Sequence, residues 1–368
     1  MKLSIIFSFR DRETTRVKRC LDSLGKQTFK DFEVLFVDYG SEPNFATKTK
    51  ALVEQYDFCE YIYTASIGMP WNRSRALNTG ARRSTADYLM TTDVDMIYPK
   101  DFLEIMLRHA ETNKVLHILH YHLPKGFKDW NNLHKYQNLP IADNALGACH
   151  LISRQRFFEL QGFDELYCYW GIEDRDLNVR EKTMGLEVHF LNDKTYMHHQ
   201  WHPFANKSTV GFMPDGLWLR LETHFHTQKN KIQRNDENWG TVITDRPIFN
   251  FVDIEKQQLK NTEKIHWFTK PVTKYSSLTF MMEAFFKMPS GHVLAIDNAN
   301  YPRSNRFIYW FLNNWNAVMR LTKLGYEFTS TNNEIHNNLY PFITDSNQVE
   351  DYFLNFPIKN GVALLMKK

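Results

Sequence analysis

Glycine is scarce in this chain, with 15 residues in 368. That excludes collagen-like and glycine-rich low-complexity structure. Only four cysteines occur, Cys20, Cys59, Cys149 and Cys168, and no two form a Cys-x-x-Cys pair. A zinc ribbon and a dithiol redox motif are therefore not expected, and the thiols read as buried small hydrophobes in a reducing compartment. No strong excess of either charge is present: 45 Lys and Arg stand against 42 Asp and Glu, a net charge of +3. A dedicated nucleic-acid binder needs a marked basic excess, so that class is set aside. Long apolar runs are missing too. The N-terminal run ends at Arg10 after about seven residues, far short of the roughly 18 that span a bilayer, and no signal-peptide cleavage site follows. It reads as the first strand of a fold beginning at residue 1, in the cytoplasm. Gly-x-x-x-x-Gly-Lys-Ser/Thr, Gly-x-Gly-x-x-Gly, Gly-x-Ser-x-Gly and His-Glu-x-x-His do not occur. P-loop hydrolysis, Rossmann redox chemistry, elbow-serine hydrolysis and zincin proteolysis have no motif to stand on.

Aromatic residues are plentiful, at 15%, and hydrophobic residues reach 43%, which excludes disorder. The length favours two domains. Strands are expected over Leu3–Phe9, Glu33–Asp38, Glu60–Thr64 and Asp87–Thr91. Helices are expected over Thr14–Leu24, with Gly25 as the stop, over Phe45–Gln55, and over Arg73–Arg83 behind an Asn72 cap. This alternation predicts an α/β fold with a mostly parallel sheet flanked by helices, and ligands beyond the C-terminal strand ends. Further on, Val115–His122 and Ala148–Ser153 read as strands, and Arg154–Leu160 and Glu173–Met184 as helices. Residues 192–245 read as loops with a few short helices. From 248 a second α/β unit is expected: strand 248–252, helix 254–261, strand 264–268, helix 277–287, strand 292–297, a long helix over Arg303–Leu324 and a last strand at Gly361–Met366. The expected domains are thus 1–247, with a nucleotide half 1–95 and an acceptor half 96–247, and 248–368, of unknown role.

Chemistry concentrates at a few places. Asp93-Val-Asp95 follows the fourth strand, where a divalent cation, Mn²⁺ or Mg²⁺, would neutralise a sugar-nucleotide diphosphate. Alone, Asp-x-Asp is common in surface loops. Tyr169-Trp170-Gly171-Ile172-Glu173-Asp174-Arg175-Asp176 sets acids at an expected helix start. Helix-dipole preference accounts for one or two of them. The functional reading makes Asp174 a general base, Glu173 a holder of the acceptor and Trp170 a sugar-stacking wall. His198-His199-Gln200-Trp201-His202 is a source of one imidazole ligand, since adjacent histidines do not easily share an ion. Phe9, Arg10 and Arg12, Asp38, and Trp71 with Arg73 lie at or near strand ends, where aromatics stack bases and guanidinium forks grip phosphates.

In this order the pieces resemble the inverting glycosyltransferases of the GT-A fold. The resemblance is to glycosyltransferase family 2, including chondroitin-polymerase-like members, with a β-1,4-galactosyltransferase-type motif further along. Phe-Arg-x-Arg after strand one, Trp-Asn-Arg-Ser-Arg-Ala-Leu-Asn-Thr-Gly at 71–80, Asp93-Val-Asp95, Gly162-Phe163 before Trp170-Gly171-x-Glu173-Asp174, and His199 before Gln200 carry it, over roughly residues 1–210. The resemblance implies that Phe9, Arg10, Arg12, Trp71 and Arg73 line a UDP pocket and that Asp93 contacts the nucleotide. It implies that Asp95 and His199 hold the metal, with His198 and His202 as alternatives. Trp170 and Gly171 would face donor and sugar, and Glu173 and Asp174 the acceptor. UDP-Gal or UDP-GalNAc leads among donors. The acceptor would be a glycan or lipid-linked glycan of a bacterial capsule or other surface polysaccharide, which leaves peripheral contact with the inner membrane face open. Ser8, Trp71, Ser74 and Ile172 stand where the galactosyltransferases carry Pro, Phe, Ala and Gly. A glycoside hydrolase, which also needs two carboxylates, and a non-catalytic carbohydrate-binding protein on a degenerate fold are the rival readings.

Overall fold

The computed structural model describes residues 2–64, 66, 71–136, 146–165, 167, 172–191, 197–202, 239–240, 265–268, 284–289, 292–297, 349–354 and 362–367. Contacts divide them into two units. One holds the described residues up to 202 with Trp239 and Gly240, and the other holds those from 265 onward.

The first unit begins β1 (Leu3–Phe9), α1 (Thr14–Gly25), β2 (Phe32–Asp38), α2 (Pro43–Val53), β3 (Cys59–Tyr63), α3 (Arg73–Arg83) and β4 (Tyr88–Thr92). It continues β5 (Met96–Ile97), α4 (Phe102–Arg108), β6 (Lys114–Ile118), β7 (His120–His122), β8 (Cys149–Ser153), α5 (Arg154–Glu159), α6 (Glu173–Thr183), β9 (Glu187–Leu191) and β10 (Met197–His199). Seven strands form one sheet in the order β3-β2-β1-β4-β8-β6-β9. All pairings are parallel except the two made by β8, which runs against both β4 and β6. The expected mostly parallel α/β sheet is what the chain forms. Both faces are covered, which is why β1, β2 and β4 read as near-continuous apolar runs rather than alternating ones.

On one face α1 buries Val17, Cys20, Leu21 and Leu24, a helical stripe that joins Leu3, Ile5, Phe7 and Phe36. On the other face α3 sits so close to the sheet that a Cβ at Gly80 would come 2.4 Å from Ile6 Cγ2. Only a glycine permits that approach. The Asn72 cap of α3 is present: its Oδ1 accepts from the Arg75 N–H at 2.8 Å, while its Nδ2 donates to the Glu165 carbonyl. Asn78 bonds both the N–H and the C=O of Phe163. The 71–80 segment thus fixes the stretch that leads into α6.

Some expectations change. Gly25 is the last residue of α1 and not a left-handed stop, since the cap residue Lys26 is itself right-handed helical. The single strand expected over Val115–His122 is two, β6 in the large sheet and β7 in a small one of order β5-β10-β7. Strand β10 lies within a segment expected to be loop or helix, and α4 and β9 were not anticipated.

The second unit contributes β11 (Ile265–Phe268), β12 (Val293–Asp297), β13 (Val349–Leu354) and β14 (Val362–Lys367), in the order β11-β12-β14-β13. Strands expected at 264–268, 292–297 and 361–366 correspond to three of these. The strand expected at 248–252 and the helices at 254–261 and 303–324 lie outside the described residues, as does most of the helix at 277–287. No helix among the described residues is long and apolar enough to cross a membrane.

Candidate active site

The open end of the large sheet, where β1, β2 and β4 finish, carries two clusters of polar groups. The first is built by strand pairing. Chain leaving β4 passes through Asp93 and Asp95 into β5, and β5 pairs antiparallel with β10, His199 opposite Met96. The Gln200 N–H closes the ladder on the Asp95 carbonyl at 3.0 Å. This register sets the His199 Nε2 3.5 Å from Asp95 Oδ1, and beyond the strand end the His202 Nε2 lies 3.1 Å from Asp95 Oδ2. The three donor atoms fall within 4.8 Å of one another. Burial works to raise the Asp95 pKa, but the hydrogen bond from His202 and the nearby His199 outweigh it and hold the carboxyl below its ordinary value. Asp95 Oδ1 is buried without a hydrogen-bond partner. One carboxylate, two imidazoles and an orphaned acceptor oxygen make a donor set that fits a first-row divalent cation such as Mn²⁺.

Both His199 and His202 therefore reach Asp95, where a single histidine was expected. His198 does not. Alternation along β10 turns it to the opposite side, where it is buried with its ring 5.4 Å from Tyr121 and burial lowers its pKa to about 4. Arg12 lies within the field of Asp95. Burial and the neighbouring Arg16 lower its pKa, and Asp95 and Asp11 act the other way.

Arg73, in the first turn of α3, organises the second cluster. Its Nη2 donates to Asp93 Oδ1 at 3.2 Å and to the Gly147 carbonyl at 2.8 Å, and its Nη1 lies 3.6 Å from Glu173 Oε1. Burial acts to lower the guanidinium pKa, but Asp93, Glu173 and Asp174 together raise it, so the side chain stays charged. Glu173 opens α6 and is buried. Burial, then the charge of Asp174, push its pKa up to about 7 against the pull of Arg73. Asp93 is likewise raised, by burial, with Arg73 opposing and Asp95 adding to the rise. Asp174 follows on the same turn. Its Oδ1 accepts from the Arg175 N–H at 2.8 Å, and a cavity beside it is lined by Arg73, Leu146, Gly147 and Leu177. A Cβ at Gly147 would stand 2.8 Å from Asp174 Oδ2, so the absent side chain makes room for the carboxylate. Sequence reasoning gave Gly147 no role, and no motif marks it.

Ahead of this turn Ile172 has φ 77°, a left-handed conformation that a β-branched residue rarely adopts. It is the position where the resembling galactosyltransferases carry glycine. Local strain of this kind collects at functional sites.

The remaining candidates divide. Arg10 stays at the strand end, 3.8 Å from Asp11 and donating to the Ser66 carbonyl. Trp71 is half-buried, edge-on to Tyr39 at 6.0 Å. Phe9, expected to face a nucleotide, instead points into the core, with its ring 5.2 Å from Phe36 and 1% exposed. Asp38, expected at the pocket, is fully buried: its Oδ1 accepts from the Ser41 N–H at 2.8 Å and its Oδ2 from the Tyr61 hydroxyl at 2.6 Å. It ties the end of β2 to β3 and to the turn that follows. Trp170 and Gly171 lie outside the described residues.

Residues 4–168 match the family model for glycosyl transferase family 2, and residues 136–203 match one described as the N-terminal domain of galactosyltransferase. Human beta-1,4-galactosyltransferase 4 is 26% identical over 139 residues, which is 37% of this chain. The chain spans 36% of that relative's length. Among solved structures, the chain is similar to S. aureus TarS 1-349 in complex with UDP-GlcNAc, at 14% identity and TM-score 0.49, over 62% of this chain and 66% of that one. A mannosyltransferase from Pyrobaculum calidifontis, in complex with GDP-Man and Mn²⁺, aligns at 17% identity and TM-score 0.41 over 62% of each chain.

Proposed function

We propose that the chain, whose residues 4–168 match the family model for glycosyl transferase family 2, is an inverting, metal-dependent glycosyltransferase. The observation that carries this reading is the meeting, at the open end of one parallel sheet, of the Asp95–His199–His202 donor set with the Arg73–Asp93–Glu173 cluster. Asp95, His199 and His202 would hold the cation. Bound there, Mn²⁺ would neutralise the diphosphate of a nucleotide sugar and so favour its departure.

The chain's own residues do the rest. Arg10 and Arg12 would offer guanidinium groups to a phosphate at the end of β1, and Trp71 an aromatic edge. Asp174 takes the proton from an acceptor hydroxyl as that oxygen forms its bond to the anomeric carbon, and the bond from that carbon to the diphosphate oxygen breaks. Attack from the face opposite the leaving group inverts the anomeric centre. Glu173, held by Arg73, positions the acceptor rather than serving as the base. Trp170 and Gly171 are assigned to the sugar by the sequence resemblance alone. The 136–203 match and the human relative favour UDP-Gal or UDP-GalNAc as donor. A glycan or lipid-linked glycan of a bacterial surface polysaccharide, met in the cytoplasm or at the inner membrane face, is the acceptor class in this reading.

UDP release against a panel of nucleotide sugars, with Mn²⁺ and with EDTA, tests the proposal. Metal-dependent release with at least one donor is expected. No release or binding with any donor would overturn the reading, and sugar release from a glycan without a nucleotide would favour a hydrolase.

A further inference from the structure

Below the Asp174 carboxylate lies a cluster that the proposed chemistry does not use. His117 on β6 and His150 on β8 are register partners across an antiparallel pair, so their rings share one face of the sheet. Helix α6 packs over that face. Glu181, two turns beyond Asp174 on α6, points between the two imidazoles. All three side chains are buried, Glu181 completely. Glu181 Oε1 is 2.6 Å from His150 Nε2, and Oε2 is 4.0 Å from His117 Nε2.

The hydrogen bonding fixes which atoms carry lone pairs. His117 Nδ1 is 3.1 Å from the Leu146 carbonyl, which can only accept, so Nδ1 bears the hydrogen. With the hydrogen there, the neutral ring offers its lone pair on Nε2. That lone pair faces Glu181 Oε2, itself buried without a hydrogen-bond partner. Asn178 Nδ2 donates to His117 Nε2 at 3.4 Å, so the unpartnered atom of the pair is the carboxylate oxygen. His150 meets the other carboxylate oxygen through Nε2, and its Nδ1 is unpartnered. A bare carboxylate oxygen in a dry site lacks something positive beside it. A backbone carbonyl fixing the far nitrogen of a histidine is also the usual outer support of a metal ligand.

We propose that His117, His150 and Glu181 form a second cation site, for a zinc-class divalent transition metal, separate from Asp95, His199 and His202. Two imidazoles and one carboxylate, with donor atoms within 4.8 Å of one another, suit such an ion and leave a position open. The cavity beside Asp174 is lined by His117 and His150 as well, so it reaches the cluster. Its role is structural: it clips α6 to β6 and β8 and so sets the height of Glu173 and Asp174 at the helix start. The inference does not depend on the transferase reading.

The test uses the full chain carrying His199→Ala and His202→Ala, which removes the first donor set. After loading with Co²⁺ and desalting, one metal per chain and visible d–d absorption of a low-coordinate site are expected, with a melting temperature that falls on chelation. Adding Glu181→Gln should abolish both the bound metal and the absorption, and His117→Leu serves in the same role should Glu181→Gln fail to fold. A double variant that retains no Co²⁺ and melts identically with and without chelator would overturn the proposal, leaving a proton-sharing His150–Glu181 pair. Unchanged Co²⁺ absorption in both added variants would overturn it equally.

Discussion

Arg73 Nη1 lies 3.6 Å from Glu173 Oε1, and this contact joins the first turn of α3 to the first turn of α6. Each helix start would by itself favour anions or acids. Here the cation of one holds the acid of the other, so Asp93 and Glu173 are both set by a single guanidinium.

That arrangement has a pH signature. The Glu173 pKa is raised, to about 7 from an ordinary 4.5. A raised carboxyl pKa means that its contribution to stability is complete below pH 4.5 and is lost as pH rises through 7. Wild-type stability should fall over this window by an amount on the order of a few kcal/mol. Glu173→Gln should flatten the profile while impairing transfer. Melting temperatures from pH 4.5 to 8.5 check this, and parallel profiles for the two proteins would contradict it.

Asp174→Asn keeps the shape of the helix start and removes the proposed base. Donor binding should persist, and transfer should fall roughly 100- to 10,000-fold. Calorimetry with UDP alongside a transfer assay separates the two. Normal transfer would mean that another group takes the proton.

His199 and His202 both reach Asp95. Each alanine variant should therefore raise the Mn²⁺ concentration needed for half-maximal UDP release by about tenfold or more. His198→Ala, whose parent side chain faces the other way, should leave that requirement unchanged. A Mn²⁺ titration of the three variants distinguishes this arrangement from a single-histidine site.

Gly147→Ala places a Cβ 2.8 Å from Asp174 Oδ2. Displacing a reacting group by a fraction of an ångström to one ångström costs about 100-fold in rate. The expected result is a lower kcat with little change in donor KM and a nearly unchanged melting temperature. Equal losses in stability and rate would show that the glycine serves the fold alone.

Gly80→Ala tests the sheet contact of α3. Ordinarily alanine improves a helix interior by about 1 kcal/mol. The clash with Ile6 Cγ2, a branch next to the backbone that cannot swing aside, should outweigh this and destabilise by about 1–3 kcal/mol net. Chemical denaturation measures the sign.

Much of this was legible because local chemistry decided it. The Asn72 cap, the apolar stripe of α1 and the acids opening α6 are short-range patterns, and the strand ends they flank follow from the alternation of elements. Other features depend on long-range register. Phe9 and Asp38 sit on strands buried on both faces, so alternation could not tell which side chains turn inward. His202 reaches Asp95 because β10 pairs with β5, and a three-residue strand among polar residues has no pattern of its own. The reversed direction of β8, which makes His117 and His150 partners, is equally invisible until the sheet is assembled.

The long-range contacts that close the candidate site also have a kinetic meaning. Arg73 meets Glu173, and Asp95 meets His202, across about a hundred intervening residues. Contacts of such long sequence separation form late in folding, after the local helices and the first parallel strands. A nascent chain halted before α6 would hold β1 to β4 and their helices, yet have neither the proposed base nor the imidazoles. In this chain the candidate site is complete only when the last part of the first unit is in place.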